Sequence, residues 1–283
     1  MADEHAVLQR IYDAAELLTP GGAVGGWAAA YLLGVRDLDG RARDGKRLLP
    51  VLLLTPTRHH PTPRPGVRVF RSRLEARDVC TADGIRVTSP LRTAFDLARR
   101  GSVEDGVVAL DAVVRDLALD LDAVTEFFRQ HPRHRGVPVA REALRLVDPG
   151  SRSPGESRLR YVWIVEAGLS RPQVNAYVVD PRGEVVAMPD LLDVATGLVA
   201  EYDGASHREL GAHTSDNARE EVLESLGLVV VRATSIDVGP GRDALVRRLH
   251  DGQDRATRNG PGTWGWAPAR PRLLRADHNP REW

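Results

Sequence analysis

The sequence predicts an α/β protein in two parts: an α+β first half, and a second half in which strands alternate with helices. Three observations carry this. Apolar residues recur at three- and four-residue spacing in some segments, and in short alternating or continuous runs in others. The run DPGSRSP at 148–154 interrupts both patterns. Past it the order becomes helix, strand, strand, strand, helix, strand, helix. A chain of 283 residues has room for two modest domains. The expected layout is an α+β domain over 1–148, an α/β domain over 149–250 and an Arg/Pro/Gly-rich tail over 251–283.

In the first part, HAVLQRIYDAAELL (5–18) and AVGGWAAAYLLG (23–34) predict two helices parted by Pro20-Gly21-Gly22. LLPVLLLT (48–55), GVRVFRS (66–72) and GIRVTS (84–89) predict short strands, the middle one turning Val67 and Val69 inward and Arg68 outward. Ser89 and Pro90 stand as N-cap and first residue of a helix. Helices follow near 102–116, 121–130 and 137–147, and no catalytic constellation is present in this part. In the second part a helix over 154–167 leads to a hairpin of QVNAYVVD (173–180) and EVVAMPDLL (184–192), turned at Asp180-Pro181-Arg182-Gly183. GLVAEYDG (197–204) is a third strand, a polar helix over 215–226 ends at Gly227, LVVVRAT (228–234) is a buried strand, and 241–250 is the last helix. The tail has no periodicity, and its Trp264, Trp266 and Trp283 either anchor it to a groove or ride on a free segment.

Composition narrows the class. There is no run of eighteen apolar residues, so no membrane partner is expected, and the start MADEHAVLQR lacks a secretory pattern. Cys80 is the sole cysteine, which excludes an intramolecular disulfide and a cysteine-rich zinc site. A cytoplasmic bacterial protein is expected. Lys46 is the one lysine, so a mechanism in the second half must do without that residue type. The formal net charge is zero, but residues 51–100 hold ten arginines against four acids, and residues 151–250 hold eleven basic against fifteen acidic residues. One reading gives phosphate binding to the first segment, through Arg68, Arg71 and Arg73, and metal binding to the second. The other sees two solvated surfaces.

Asp190 stands towards the end of one expected strand, beside Met188, Leu191 and Leu192, and Glu201 near the end of the next, after Leu198-Val199-Ala200. A carboxylate at the end of an apolar strand is costly without a cation, so two on adjacent strands imply a metal or an arginine. A Mg²⁺ ion held by one or two carboxylates suits phosphodiester hydrolysis, because it activates water and neutralises phosphate charge. Asp203 shares the strand face of Glu201, and His207 is a candidate for proton transfer. Glu156 closes a Ser-Pro-Gly-Glu capping box at a helix start or serves the site, and the two roles are compatible. Asp190 and Glu201 serve either as metal ligands or as partners of Arg232 in a structural ion pair.

Pro189-Asp190, ten residues and then Glu201-Tyr202-Asp203 resemble the outline of PD-(D/E)XK nucleases. The stretch EYDGASHREL…SDNAREEVLESLGLVVVRAT resembles a bacterial domain-of-unknown-function family related to very-short-patch repair endonucleases, matched by Glu201, Asp203, Gly204, His207, Asp216, Arg219, Gly227 and Arg232. That resemblance implies a restriction-endonuclease-like mixed sheet flanked by helices, with Mg²⁺ or Mn²⁺ held by Asp190 and Glu201. It implies catalytic roles for Glu156, Asp190, Glu201, Asp203 and His207, and DNA contacts from Arg219 and Arg232. Asp203 occupies the position where active members of the superfamily usually carry lysine. WAAAYLLGV and GVRVFRSRLEARDVCTADGIRVTSPLRTAFDLAR are similar to AbiEi-type antitoxins, which usually begin with a winged-helix unit for which residues 1–20 leave no room. The function expected is thus Mg²⁺-dependent DNA hydrolysis, with a non-catalytic antitoxin or regulator that binds nucleic acid or a toxin as the alternative.

Overall fold

The computed structural model describes residues 3–56, 64–204, 221–260 and 262–268. The chain divides between Pro149 and Gly150, inside the DPGSRSP run, into two compact units. Among the described residues no helix is long and apolar enough to cross a membrane.

The first unit opens with α1 (Glu4–Ala15), capped by the Asp3 carboxylate and burying Val7, Ile11 and Ala14. The segment 23–34, expected as one helix, is strand β1 (Ala23–Gly25) followed by α2 (Gly26–Leu32). The paired glycines explain the difference. They are poor helix formers, and Gly26 takes φ +63, a left-handed value that few other residues adopt. Next come β2 (Val51–Thr55), β3 (Val67–Arg71), β4 (Val79–Ala82) and β5 (Ile85–Thr88). They form a mixed sheet in the order β3-β2-β1-β5-β4. β4 lies outside the sequence expectation; it forms a hairpin with β5 through Asp83-Gly84, both at positive φ. Val67 and Val69 pack on the core that α1 shares with Val24, Trp27, Val51, Leu53 and Val87, while Arg68 is exposed, as the alternation predicts.

Four helices complete this unit close to their expected bounds: α3 (Pro90–Ala98), α4 (Val103–Asp116), α5 (Leu121–Gln130) and α6 (Val137–Leu146). Pro90 begins α3, although the Ser89 side chain makes no capping bond. Phe95 of α3 is fully buried and meets Phe127 and Phe128 of α5 edge-on, at 5.9 and 5.1 Å between ring centroids.

The second unit begins with α7 (Pro154–Tyr161), which widens into a π turn over Val162–Glu166. The expected hairpin of two long strands is broken on both arms. Asn175, at φ +51, separates β6 (Gln173–Val174) from β7 (Tyr177–Val179). On the return arm the stretch 188–190, with Pro189 unable to donate to a ladder, separates β8 (Val185–Ala187) from β9 (Leu191–Leu192). The pieces divide between two sheets. β10 (Leu198–Asp203) and β11 (Val229–Thr234) join β9 and β6 in the order β11-β10-β9-β6, whereas β7 lies between β8 and β12 (Gly265–Ala267). The last helix, α8 (Arg242–Asn259), extends nine residues past the expected end at 250, so the region expected as a patternless tail holds helix and strand. Leu245, Leu249 and Ala256 continue its apolar stripe at spacings of four and seven, and the sequence reading stopped too early on that stripe.

Alternation along β10 gives its two faces separate partners. Leu198 and Ala200 belong to a core with Leu159 and Trp163 of the α7 region and Leu245 and Leu249 of α8. Val199 joins Leu192, Val178, Leu223 and Leu228 on the other face. The fold class is α/β with mixed sheets flanked by helices, as expected.

Candidate functional site

The register of β9, β10 and β11 assembles the carboxylates. Ala200 pairs with Leu191 in the antiparallel ladder, and continuing one residue sets Asp190 opposite Glu201. Glu201 pairs with Arg232 across the parallel β10–β11 ladder, where strands lie about 4.8 Å apart. Side chains at the same level of neighbouring strands share a face, so Asp190, Glu201 and Arg232 stand in one row. Asp190 is in the bend just before β9, not at the end of a long strand, because the chain breaks at Pro189.

Asp190 has a definite structural task. Its Oδ2 accepts a hydrogen bond from the Tyr202 amide at 2.7 Å. That amide faces the β9 side of β10, where β9 has already ended, so the carboxylate takes the place of the missing ladder acceptor. A carboxylate has several lone-pair sites, so the bond is compatible with a ligand role but does not require one. Glu201 is half-buried, its Oε1 is shielded from solvent, and the Nε of neighbouring Arg232 is shielded too. Asp203, two residues along, is exposed. Among the described residues no group of three or more His, Cys, Asp and Glu side chains is gathered as a metal site. His207 and Arg219, expected as proton-transfer group and DNA contact, lie outside the described residues, as does Asp216.

Glu156 has hydrogen-bond partners of its own at the start of α7. Ser153 Oγ accepts from the Glu156 amide and caps α7, but Glu156 Oε2 accepts from the Arg152 amide at 2.7 Å and from Asn175 Nδ2 at 2.9 Å. Asn175 also donates its side chain to the Gly150 carbonyl and its backbone amide to the Asp190 carbonyl. It thus ties the first residues of this unit to the turn that carries Asp190. Sequence reading passed over Asn175 as an ordinary strand residue. Its signal was available, since asparagine interrupting an apolar strand is tolerant of positive φ.

Arg68, Arg71 and Arg73 form a different kind of surface. β3 is an edge strand, with Arg68 and Arg71 exposed on it and Arg73 exposed just beyond. The Phe70 ring lies between two guanidinium groups, Arg68 at 5.2 Å and Arg100 at 4.4 Å from its centroid. Burial pushes Arg100 down to about 10, Asp96 pulls it up, and the nearby positive charges of Arg99, Arg92 and Arg68 lower it further. Burial also lowers His134, with Arg99 and Arg92 adding to the effect. Glu75 pairs with Arg77, and Asp78 and Asp96 engage Arg92, Arg99 and Arg100. The acids of the segment are therefore matched largely to arginines behind the exposed edge.

Residues 23–139, from β1 into α6, match the family model of the AbiEi antitoxin C-terminal domain. This span includes the Arg68–Phe70–Arg100 surface and ends before the unit that carries Asp190 and Glu201. No curated protein and no solved structure matches the chain.

Proposed function

We propose that this protein is an antitoxin-type regulator that binds nucleic acid through its first unit, and that the row of Asp190, Glu201 and Arg232 serves the architecture of the second. The observation that carries this reading is the match of residues 23–139 to the AbiEi antitoxin C-terminal domain, over the residues that build the arginine edge. The exposed arginines on β3 and just beyond it supply phosphate contacts, which suits nucleic acid without demanding a particular sequence. The Asp190 bond to the Tyr202 amide supports the second half of the reading, because it gives that carboxylate a structural partner in the bend before β9.

A second reading, Mg²⁺- or Mn²⁺-dependent DNA cleavage, is favoured by the register that sets Asp190 and Glu201 at one level of the sheet. On that reading these two carboxylates would hold the ion, which would supply an activated water and charge neutralisation at the phosphate. Asp190→Asn distinguishes the readings, since asparagine keeps an oxygen acceptor for the Tyr202 amide and removes the ligand charge. The regulator reading expects the protein to retard DNA in a gel shift, to leave plasmid, single-stranded and branched DNA uncut in Mg²⁺ or Mn²⁺, and to behave alike as wild type and as Asp190→Asn. Metal-dependent cleavage by the wild type that disappears in a folded Asp190→Asn variant would overturn it. Failure to retard any DNA would remove the nucleic-acid part.

A further inference from the structure

We propose that the loop joining α5 to α6, residues 131–136, is a second phosphate-binding element of the nucleic-acid surface, and that protonation of His134 tightens its hold. The inference rests on the nucleic-acid reading of the first unit and adds a contact that the β3 edge does not supply. The stretch 127–141 (FFRQHPRHRGVPVAR) holds four arginines, two histidines and no acid. Arg129 is engaged by Glu126, and the next acid along the chain, Glu142, pairs with Arg145. Arg133 and Arg135 are exposed, and among the described residues neither guanidinium has an acidic partner.

The loop is fixed in place. Its Arg135 carbonyl accepts from Arg99 Nη1 at 3.1 Å. Gly136, at φ +84, brings the backbone so close to the end of α3 that a Cβ built there would lie 2.1 Å from the Arg99 carbonyl oxygen. His131 stacks on Phe127 at 4.2 Å between ring centroids and donates Nδ1–H to the Phe127 carbonyl at 2.7 Å. His134 lies edge-on to the buried Phe95 at 5.4 Å. Both imidazoles are half-buried against α3 and α5, while the arginines on either side of His134 are exposed. A loop held in this way loses little freedom when it meets a ligand. Arg99 and Arg100 link it to the β3 edge, since Arg100 lies over the Phe70 ring at 4.4 Å.

Charge and surface together select the occupant. The groups acting on His134 are Arg92 and Asp96 of α3, Arg99 at its end and His131 of the loop itself. Burial, then Arg99, Arg92 and His131, hold the ring below the usual imidazole value, against an upward pull from Asp96. The local field is therefore positive, and the free ring is neutral near pH 7. A phosphate beside Arg133 and Arg135 reverses that field and favours the charged ring, so binding takes up a proton. The segment HPRHRG offers no aliphatic or aromatic anchor of the kind that a protein interface core or a bilayer requires. A polyanion backbone needs none.

Fluorescence anisotropy with the full chain and a labelled DNA duplex tests the proposal. Changing Arg133 and Arg135 to Gln should lower the slope of log affinity against log salt by about 1.8, close to 0.9 per phosphate contact. Changing Arg182 and Arg247 of the second unit instead should leave that slope as in the wild type. From about pH 7.5 to about pH 6 the wild type should gain about threefold in affinity, as linkage to one histidine implies. His134→Gln should lose that gain, and so should His134→Phe, which keeps a flat ring against Phe95. Circular dichroism at each pH verifies the fold. A wild-type salt slope in the Arg133→Gln/Arg135→Gln variant, or equal flattening in the control, would overturn the proposal. So would a pH response that survives both changes at position 134, which gives the proton to another histidine. Those outcomes, with DNA still bound by the wild type, leave the β3 edge and the proposed function standing. Absence of DNA binding by the wild type removes both.

Discussion

Arg92 shows how a side chain that looks like part of a phosphate surface becomes part of a core. It is 1% exposed, and its guanidinium donates to Asp96 Oδ2 at 3.0 Å, Asp78 Oδ2 at 3.2 Å and Ser72 Oγ at 2.6 Å. Arg92 and Asp96 lie four residues apart on α3, and Arg99 and Arg100 follow just past its end, a spacing at which charged side chains on a helix meet. Their burial was not legible, because it depends on helices and strands packing around α3 from elsewhere in the chain. Removing the guanidinium leaves buried Asp78 without the arginine it pairs with, while Asp96, also buried, keeps Arg99 and Arg100. Arg92→Met, which keeps most of the volume, should therefore lower stability by about 3–5 kcal/mol, as breaking a buried ion pair on one side does. Urea unfolding of both proteins measures this, and a loss below about 1 kcal/mol would mean that Asp78 and Asp96 find water or other partners. Asp190 teaches the same lesson in the other unit. It was expected towards the end of a long strand, but it lies in the bend before β9, where its carboxylate meets the Tyr202 amide, because β9 is only two residues long.

At the scale of elements, periodicity placed α3 to α6 closely and failed where backbone geometry overrode it. Gly25-Gly26 turned an expected helix start into β1, and Asn175 and Pro189 divided an expected hairpin between two sheets. Which strands of that hairpin go to which sheet depends on long-range pairing that local alternation does not encode. Gly155 was legible only as part of a capping box, yet it sets how closely α7 approaches β10. A Cβ built there would come within 2.0 Å of the Tyr202 ring. Gly155→Ala should consequently cost about 1–3 kcal/mol through overpacking, despite alanine's better helix propensity. Adding Tyr202→Ala to that variant should recover part of the loss, because it removes the ring that the new methyl meets. Thermal melts of wild type, both single variants and the double variant give the coupling. A single Gly155→Ala variant as stable as wild type would show that the helix shifts freely on the sheet.

Across the whole molecule a formal net charge of zero conceals a division of labour that a single total cannot express. The arginine surplus of residues 51–100 was legible by counting, but counting could not separate Arg92, buried among carboxylates, from Arg68, exposed beside Phe70. The structure makes that separation, and with it a quantitative expectation. If Arg68, Arg71 and Arg73 each neutralise one phosphate of duplex DNA, changing all three to Gln should reduce the slope of log affinity against log salt by about 2.7, close to 0.9 per contact. Affinity near 50 mM salt should fall steeply, while the difference between wild type and variant narrows as salt rises. Folding should be little affected, because the three side chains are exposed. Changing Arg171, Arg182 and Arg247, three exposed arginines of the second unit, to Gln serves as the charge-matched control and should leave the slope near that of the wild type. Equal flattening in both variants would make the DNA interaction a property of overall charge and would withdraw the β3 edge as its interface.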